Sequence, residues 1–123
     1  MLTSPSELIL AVGFGPARLS AINVMSPILS VGFDDISKDL IRRLRPALVL
    51  SPLVSGRFDC VELGQRLKEC GYTGDYLIVM RDEGALDMIR HELNDQFGGL
   101  QHEVIRVDDI ELALREAVPA IAG

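Results

Sequence analysis

Short apolar runs recur along the chain with turn residues on both sides: Leu8 to Phe14, Ile28 to Phe33, Ala47 to Leu53, Tyr76 to Met80 and Val104 to Val107. Each is too short for a helix, and none alternates apolar with polar at every second position. Unbroken apolar strands suit a parallel sheet covered on both faces. Between the runs the period changes. Ile36, Leu40, Ile41 and Leu44 fall on one helical stripe, with Lys38, Asp39, Arg42 and Arg43 turned away from it. Val61, Leu63, Gly64 and Leu67 make a second stripe, then Leu86, Ile89, Leu93 and Phe97, then Ile110, Leu112, Leu114 and Val118. A short helix from Pro16 to Val24 is predicted between the first two strands, with proline at its first position. Strand and helix alternate five times. Right-handed crossovers then give an α/β fold: a three-layer αβα sandwich around a five-stranded parallel sheet ordered 2-1-3-4-5.

Helix ends carry matching punctuation. Asp59 precedes Glu62 by three residues and Asp108 precedes Glu111 by three, the spacing of a reciprocal N-terminal cap. Gly71 and the pair Gly98 and Gly99 fall just past helix ends, where a left-handed residue closes the last turn. The first two strands share an echo, ILAVGFG from Ile9 and ILSVGFD from Ile28. Convergence explains it as well as duplication does, because both strands need slim residues where the chain leaves the sheet.

The 123 residues are enough for one compact domain spanning positions 1–123. Composition is that of a soluble globular protein, 48% hydrophobic and 24% charged. The net charge of −6 opposes binding to nucleic acid or anionic lipid, and scarce aromatics leave little to stack on bases. Neither partner is expected. Cys60 and Cys70 lie ten residues apart on one predicted helix, about 15 Å along its axis, too far to bridge. They read as small apolar fillers in a reducing, cytoplasmic protein. The N-terminal apolar run is too short for a membrane span and lacks the basic lead of a signal peptide.

In such sheets a ligand crevice lies at the carboxyl ends of the strands, so topology names the candidates. They are Gly13, Phe14 and Gly15 after strand 1, Asp34 and Asp35 after strand 2, Ser51 and Ser55 flanking Pro52 in a loop after strand 3, Arg81 after strand 4 and Arg106 at strand 5. Asp34 and Asp35 fit a helix cap or a displaced metal pair, capping being the commoner role of Asp there. The glycine run before Pro16 fits a tight turn or a phosphate cradle with Arg18 as counter-charge; as a dinucleotide fingerprint it fails, because the third glycine falls on Arg18. Ser51 acts as a nucleophile only if a base reaches it. His91 belongs mid-helix and His102 to the amino end of strand 5, the wrong edge. No His, Cys or carboxylate set has metal-ligand spacing, and no cofactor is implied.

The stretch LRPALVLSPL from Leu44, the run FDCVELGQRLKECGYTGDYLIVM from Phe58, and VIRVDDIELALREAV from Val104 resemble, in order and length, parts of response-regulator receiver domains. The resemblance implies a receiver or flavodoxin-like fold. It also implies where switch chemistry belongs, and the residues there are wrong for it. The phosphoacceptor aspartate falls on Ser51, the acidic pair after strand 1 on Gly13 and Phe14, the hydroxyl residue ending strand 4 on Met80 or Arg81, and the lysine of strand 5 on Arg106. A hydroxyl with neutral neighbours does not hold Mg²⁺ as carboxylates do. The expected function is thus a non-catalytic signalling or protein-interaction module resembling a receiver without its metal site. The alternatives are a flavodoxin-like binder of an anion or nucleotide at Gly13 to Gly15 and Ser51, and a small hydrolase using Ser51. Receivers commonly pair through the last two helices and strand 5, so the resemblance implies a homodimer there, with the tail Val118 to Ala122 contributing.

Overall fold

The computed structural model describes residues 8–14, 27–53, 59–80, 86–97 and 99–117. In chain order these form β1 (Ile9–Val12), β2 (Ile28–Val31), α1 (Lys38–Leu44), β3 (Leu48–Pro52), α2 (Cys60–Glu69), β4 (Asp75–Met80), α3 (Leu86–Gln96), β5 (His102–Arg106) and α4 (Ile110–Ala117), with 3₁₀ turns at Phe33–Asp35 and Val107–Asp109. The strands make one sheet in the order β2-β1-β3-β4-β5, every neighbouring pair parallel. The helix expected over Pro16 to Val24, the residues Gly15, Ser55 and Arg81, and the tail from Val118 lie outside the described residues.

Alternate side chains of each strand feed two apolar layers. Leu10, Val12, Val49, Tyr76, Ile78 and Val104 face a layer that includes Ile41 of α1, Leu63 and Leu67 of α2, and Leu93 of α3. Ile9, Ala11, Leu48, Leu50, Leu77 and Ile105 face the other way, against Phe14 and against Ile110 and Leu114 of α4. The three-layer αβα sandwich and its strand order match the sequence expectation. Three central strands, β1, β3 and β4, are buried along nearly their whole length, which is why they read as unbroken apolar runs.

The outermost strand β2 departs from that reading. Leu29 is 41% exposed and Ser30 is also exposed, because an edge strand has a neighbour on one side only. A second departure is Leu112, 58% exposed although its letters place it in the apolar stripe of α4. It stands two residues from both Ile110 and Leu114, about 200° around the helix from either. The remaining stripes agree: Ile36 and Ile41 are buried, as are Leu63, Gly64, Leu67, Leu93 and Phe97.

Capping follows the sequence at α2 and departs from it elsewhere. Asp59 Oδ1 accepts from the Glu62 amide at 2.9 Å, and Glu62 Oε1 accepts from the Asp59 amide at 3.2 Å. At the far end Gly71, at φ +79°, turns the chain so that its N–H reaches Lys68 O and the Tyr72 N–H reaches Leu67 O, a Schellman closure. At α1 the cap is Ser37, whose Oγ accepts from the Leu40 amide at 3.1 Å, rather than either aspartate before it. At α4 the chain winds into the 3₁₀ turn Val107–Asp109 first, so helical turning begins ahead of Asp108, the residue expected to cap.

Gly64 sits on the buried side of α2, where Phe97 lies flush against the backbone. A Cβ at this position would overlap the Phe97 ring, 2.8 Å from Cζ. That ring is 1% exposed and held between Tyr76 and His102, at centroid distances of 5.8 and 4.9 Å, so it has nowhere to go. Gly64→Ala is therefore expected to lower stability by about 1–3 kcal/mol, although alanine is the better helix former. Phe97→Leu in the same chain should recover part of the loss. Urea unfolding showing Gly64→Ala as stable as the parent would contradict this packing.

Candidate functional site

The carboxyl edge of the sheet is where the topology puts a ligand crevice, and its residues can be placed one by one. Gly13 follows β1, exposed, at φ +90°. Phe14 turns back under the sheet and is 8% exposed, packed in the α4 layer. After β2, Asp34 and Asp35 are both exposed in the 3₁₀ turn. Asp35 Oδ2 accepts from the Gly32 amide at 2.9 Å, which fastens the turn to the end of its own strand. Arg106 is exposed at the end of β5, opposite Met80 in register. With β4 between them, β5 and β3 lie about 10 Å apart. Gly13 and the aspartates thus share one end of the edge and Arg106 stands at the other. Among the described residues no group of three or more His, Cys, Asp or Glu side chains is placed to hold a metal ion.

Ser51 differs from its expected setting. It lies within β3 rather than in a loop, and it is 0% exposed. Its Oγ is 2.8 Å from the Tyr76 hydroxyl and 3.1 Å from the Pro52 carbonyl. The Tyr76 hydroxyl donates at 3.0 Å to the carbonyl of Cys60, the first residue of α2. With the tyrosine proton committed there, the Ser51 proton is shared between Tyr76 Oη and the Pro52 carbonyl. The network joins β3, β4 and the start of α2. Neither histidine enters it: His91 is exposed on α3, and His102 begins β5 with Nδ1 2.9 Å from the Leu100 carbonyl. Ser51 in this arrangement has no access to solvent and, among the described residues, no base beside it, the two things a nucleophile needs.

Burial acts on every acidic hydrogen near the network. It pushes the Cys60 thiol up to about 11 from an ordinary 9.0, helped by the negative charge of Asp59. Burial also drives Tyr76 well above the usual tyrosine range, against a smaller opposite pull from the Ser51 hydrogen bond. Tyr72, whose hydroxyl donates at 2.6 Å to the Asp75 carbonyl, is raised by burial and then by the Asp75 charge. All three stay protonated in the folded protein at neutral pH. Both cysteines are free thiols.

The opposite end of the molecule carries a feature that sequence reading missed. Arg90 of α3 reaches over the outer edge of β5, donating from Nε at 3.3 Å and NH2 at 3.1 Å to the Val104 carbonyl. The same guanidinium meets Glu103 at 2.9 Å and Asp87 at 3.7 Å. Beside it a shallow groove of about 790 Å³ runs between β5 and α4, floored by Leu77 and Ile105 and rimmed by Arg90, Glu103, Asp109 and Leu112. Met88 is 63% exposed on α3 and Val107 is 37% exposed after β5. The Asp87 and Arg90 spacing was the only signal of this arrangement in the sequence. Tyr76 had a clearer one, as the lone hydroxyl in DYLIVM, where a buried strand needs a partner for it.

No protein-family model matches the sequence. No curated protein matches it either. Among solved structures the chain is similar to the Legionella pneumophila response regulator LqsR, with 13% sequence identity and a TM-score of 0.61 over 95% of this chain and 43% of that one. The chain therefore spans less than half of that protein. At this identity the likeness is one of fold, a receiver or flavodoxin-like architecture, in agreement with the observed strand order.

Two outcomes follow from the buried network. Tyr76→Phe removes the hydroxyl that serves both Ser51 and Cys60 and is expected to cost about 1–3 kcal/mol in urea unfolding, more than Ser51→Ala, which leaves the bond to Cys60 in place. A Ser51→Ala loss equal to or larger than that of Tyr76→Phe would reverse the roles. Stability should also decline in alkali. Cys60, Tyr72 and Tyr76 ionise in the unfolded chain from about their ordinary values of 9.0 and 10.0, while the fold holds their protons to higher pH. Their contribution is complete below those values and is lost as pH rises past them. Melting temperatures unchanged from pH 8 to pH 11 would contradict this burial.

Proposed function

We propose that this domain is a non-catalytic signalling or protein-interaction module, a receiver-like scaffold without phosphoryl switch chemistry. The observation that carries the reading is Ser51. The resemblance puts it at the phosphoacceptor position, and its hydroxyl is buried and committed to Tyr76 and Pro52. Supporting it, Gly13 and Phe14 offer no carboxylate where an acidic pair would hold magnesium, and Met80 at the end of β4 is 3% exposed. The fold likeness to a response regulator lends the signalling context. The small-molecule and hydrolase alternatives both needed Ser51 open to solvent, and its burial weighs against them.

Within this reading the docking face is the surface of α3, β5 and α4, where Leu112 is exposed at the groove and Met88 of α3 and Val107 after β5 are exposed as well. A second copy of the chain binds there in a cytoplasmic homodimer. Exposed large apolar groups next to a polar rim are the usual makings of such a surface.

Incubation with acetyl phosphate and Mg²⁺, followed by intact mass measurement, is expected to leave the chain unmodified; a phosphorylated species would overturn the proposal. For the docking face, hydrogen exchange at low and high protein concentration should show slower exchange in α4 and at the outward amides of β5 as concentration rises. Exchange there that ignores concentration would remove self-pairing from the reading.

A further inference from the structure

The two free edges of the sheet are built differently. At β5 the hydrogen bond from the Tyr76 amide to the Gln101 carbonyl, 2.9 Å, sets the phase of the ladder, so that His102, Val104 and Arg106 turn their backbone groups outward. Arg90 occupies the middle carbonyl of that row, and the strand carries Glu103 and Arg106 as charges. Such features keep an edge from adding a further strand through its backbone, while leaving side-chain packing open to it.

At β2 the hydrogen bond from the Ile9 amide to the Pro27 carbonyl, 2.9 Å, sets the phase in the same way. Pro27, Leu29 and Val31 face β1, while Ile28 and Ser30 turn outward. Among the described residues no side chain bonds to their backbone groups, and the strand, ILSV, has no charge and no proline. The open stretch ends at Gly32, whose amide is held by the Asp35 carboxylate and whose carbonyl accepts from the Asp35 amide. Among the described residues, four backbone groups therefore stand unpaired in a row, with Leu29, 41% exposed, between them.

The geometry points to a second copy of this chain pairing along β2, antiparallel, about a two-fold axis at Leu29. In this register Ile28 lies opposite Ser30 of the second copy, and Ser30 opposite its Ile28. Each pair exchanges two hydrogen bonds, and the four bonds satisfy all the open groups on both chains. Leu29 meets Leu29 of the second copy in the intervening close pair, so the exposed apolar side chain at the centre of the strand gains its own copy as partner. Moving the axis to Ser30 would set Ile28 against Gly32, whose groups Asp35 already holds.

Charge favours the same arrangement. The chain carries −6 and its copies repel, but β2 is neutral and the acidic pair Asp34 and Asp35 lies beyond one end of it. Antiparallel pairing sends the two acidic pairs to opposite ends of the ribbon, whereas parallel pairing would set them side by side. A four-residue strand pair buries much less than the roughly 1,200 Å² of a stable interface, so this contact is weak and driven by concentration. It goes beyond the proposed function and does not rest on it, since β2 and the α3, β5 and α4 face lie on opposite edges of the sheet.

The test is a cysteine at the axis. Leu29→Cys, made with Cys70→Ser and left to oxidise mildly at high protein concentration, should form a disulfide-linked dimer on a non-reducing gel several-fold faster than Gln65→Cys in the same background. Gln65 is exposed on α2 and reports random collision. Adding Ser30→Pro, which deletes an outward amide on each chain, should return the rate to that of Gln65→Cys with the circular dichroism spectrum unchanged. Equal rates for Leu29→Cys and Gln65→Cys, or a fast rate that survives a folded Ser30→Pro variant, would overturn the inference. The acetyl phosphate result bears on neither outcome.

Discussion

The structure depends on one constraint: its central strands have a helical layer on each side, so a polar group buried in them cannot reach water. Every hydroxyl in β1, β3 and β4 must find its partner inside. Ser51 and Tyr76 meet this by serving each other and the first carbonyl of α2, which anchors that helix to two strands at once. The same helix leans on Phe97 through Gly64, so the packing of α2 against α3 and its tethering to the sheet are parts of one arrangement. Ser51, buried and bonded on both sides, serves the packing of the sheet.

The edges of the sheet escape that constraint and are governed by another, since each leaves a row of backbone groups unpaired. Arg90 covers part of the row at β5 while its aliphatic stem stays within reach of α3, and its charge is answered by Glu103 and Asp87. The β2 side has no such cover among the described residues.

Most of the frame was legible from letters, because burial on two faces forces a composition that little else does. Strand order, the helical stripes, the Asp59 and Glu62 cap and the turn at Gly71 all came from patterns that are local in sequence. The site was less legible. Ser51 and Pro52 fall at the end of the apolar run from Ala47, where the same letters also read as the start of a loop, and the pairing of β3 with β4 through Pro52 and Val79 settles that the strand continues past the serine. Leu29 and Leu112 read as core because an apolar residue carries no mark of which side of an element is covered. The cap at Ser37 was missed because two aspartates stood just ahead of it, and either type fills that role. The grip of Arg90 on β5 joins residues fourteen apart across an edge, which no local pattern records.

The turn after β1 decides what an acidic pair would meet at its two positions. Position 13 is held at φ +90°, a conformation that a residue with a Cβ adopts only at a cost of about 1–2 kcal/mol. Its neighbour Phe14 fills an apolar layer where an ionised carboxylate would go unsolvated. An acidic pair introduced at these two positions would therefore meet backbone strain at one and desolvation at the other. Exchanging side chains alone would thus not turn this bend into a cation site; the backbone itself would have to be rebuilt first.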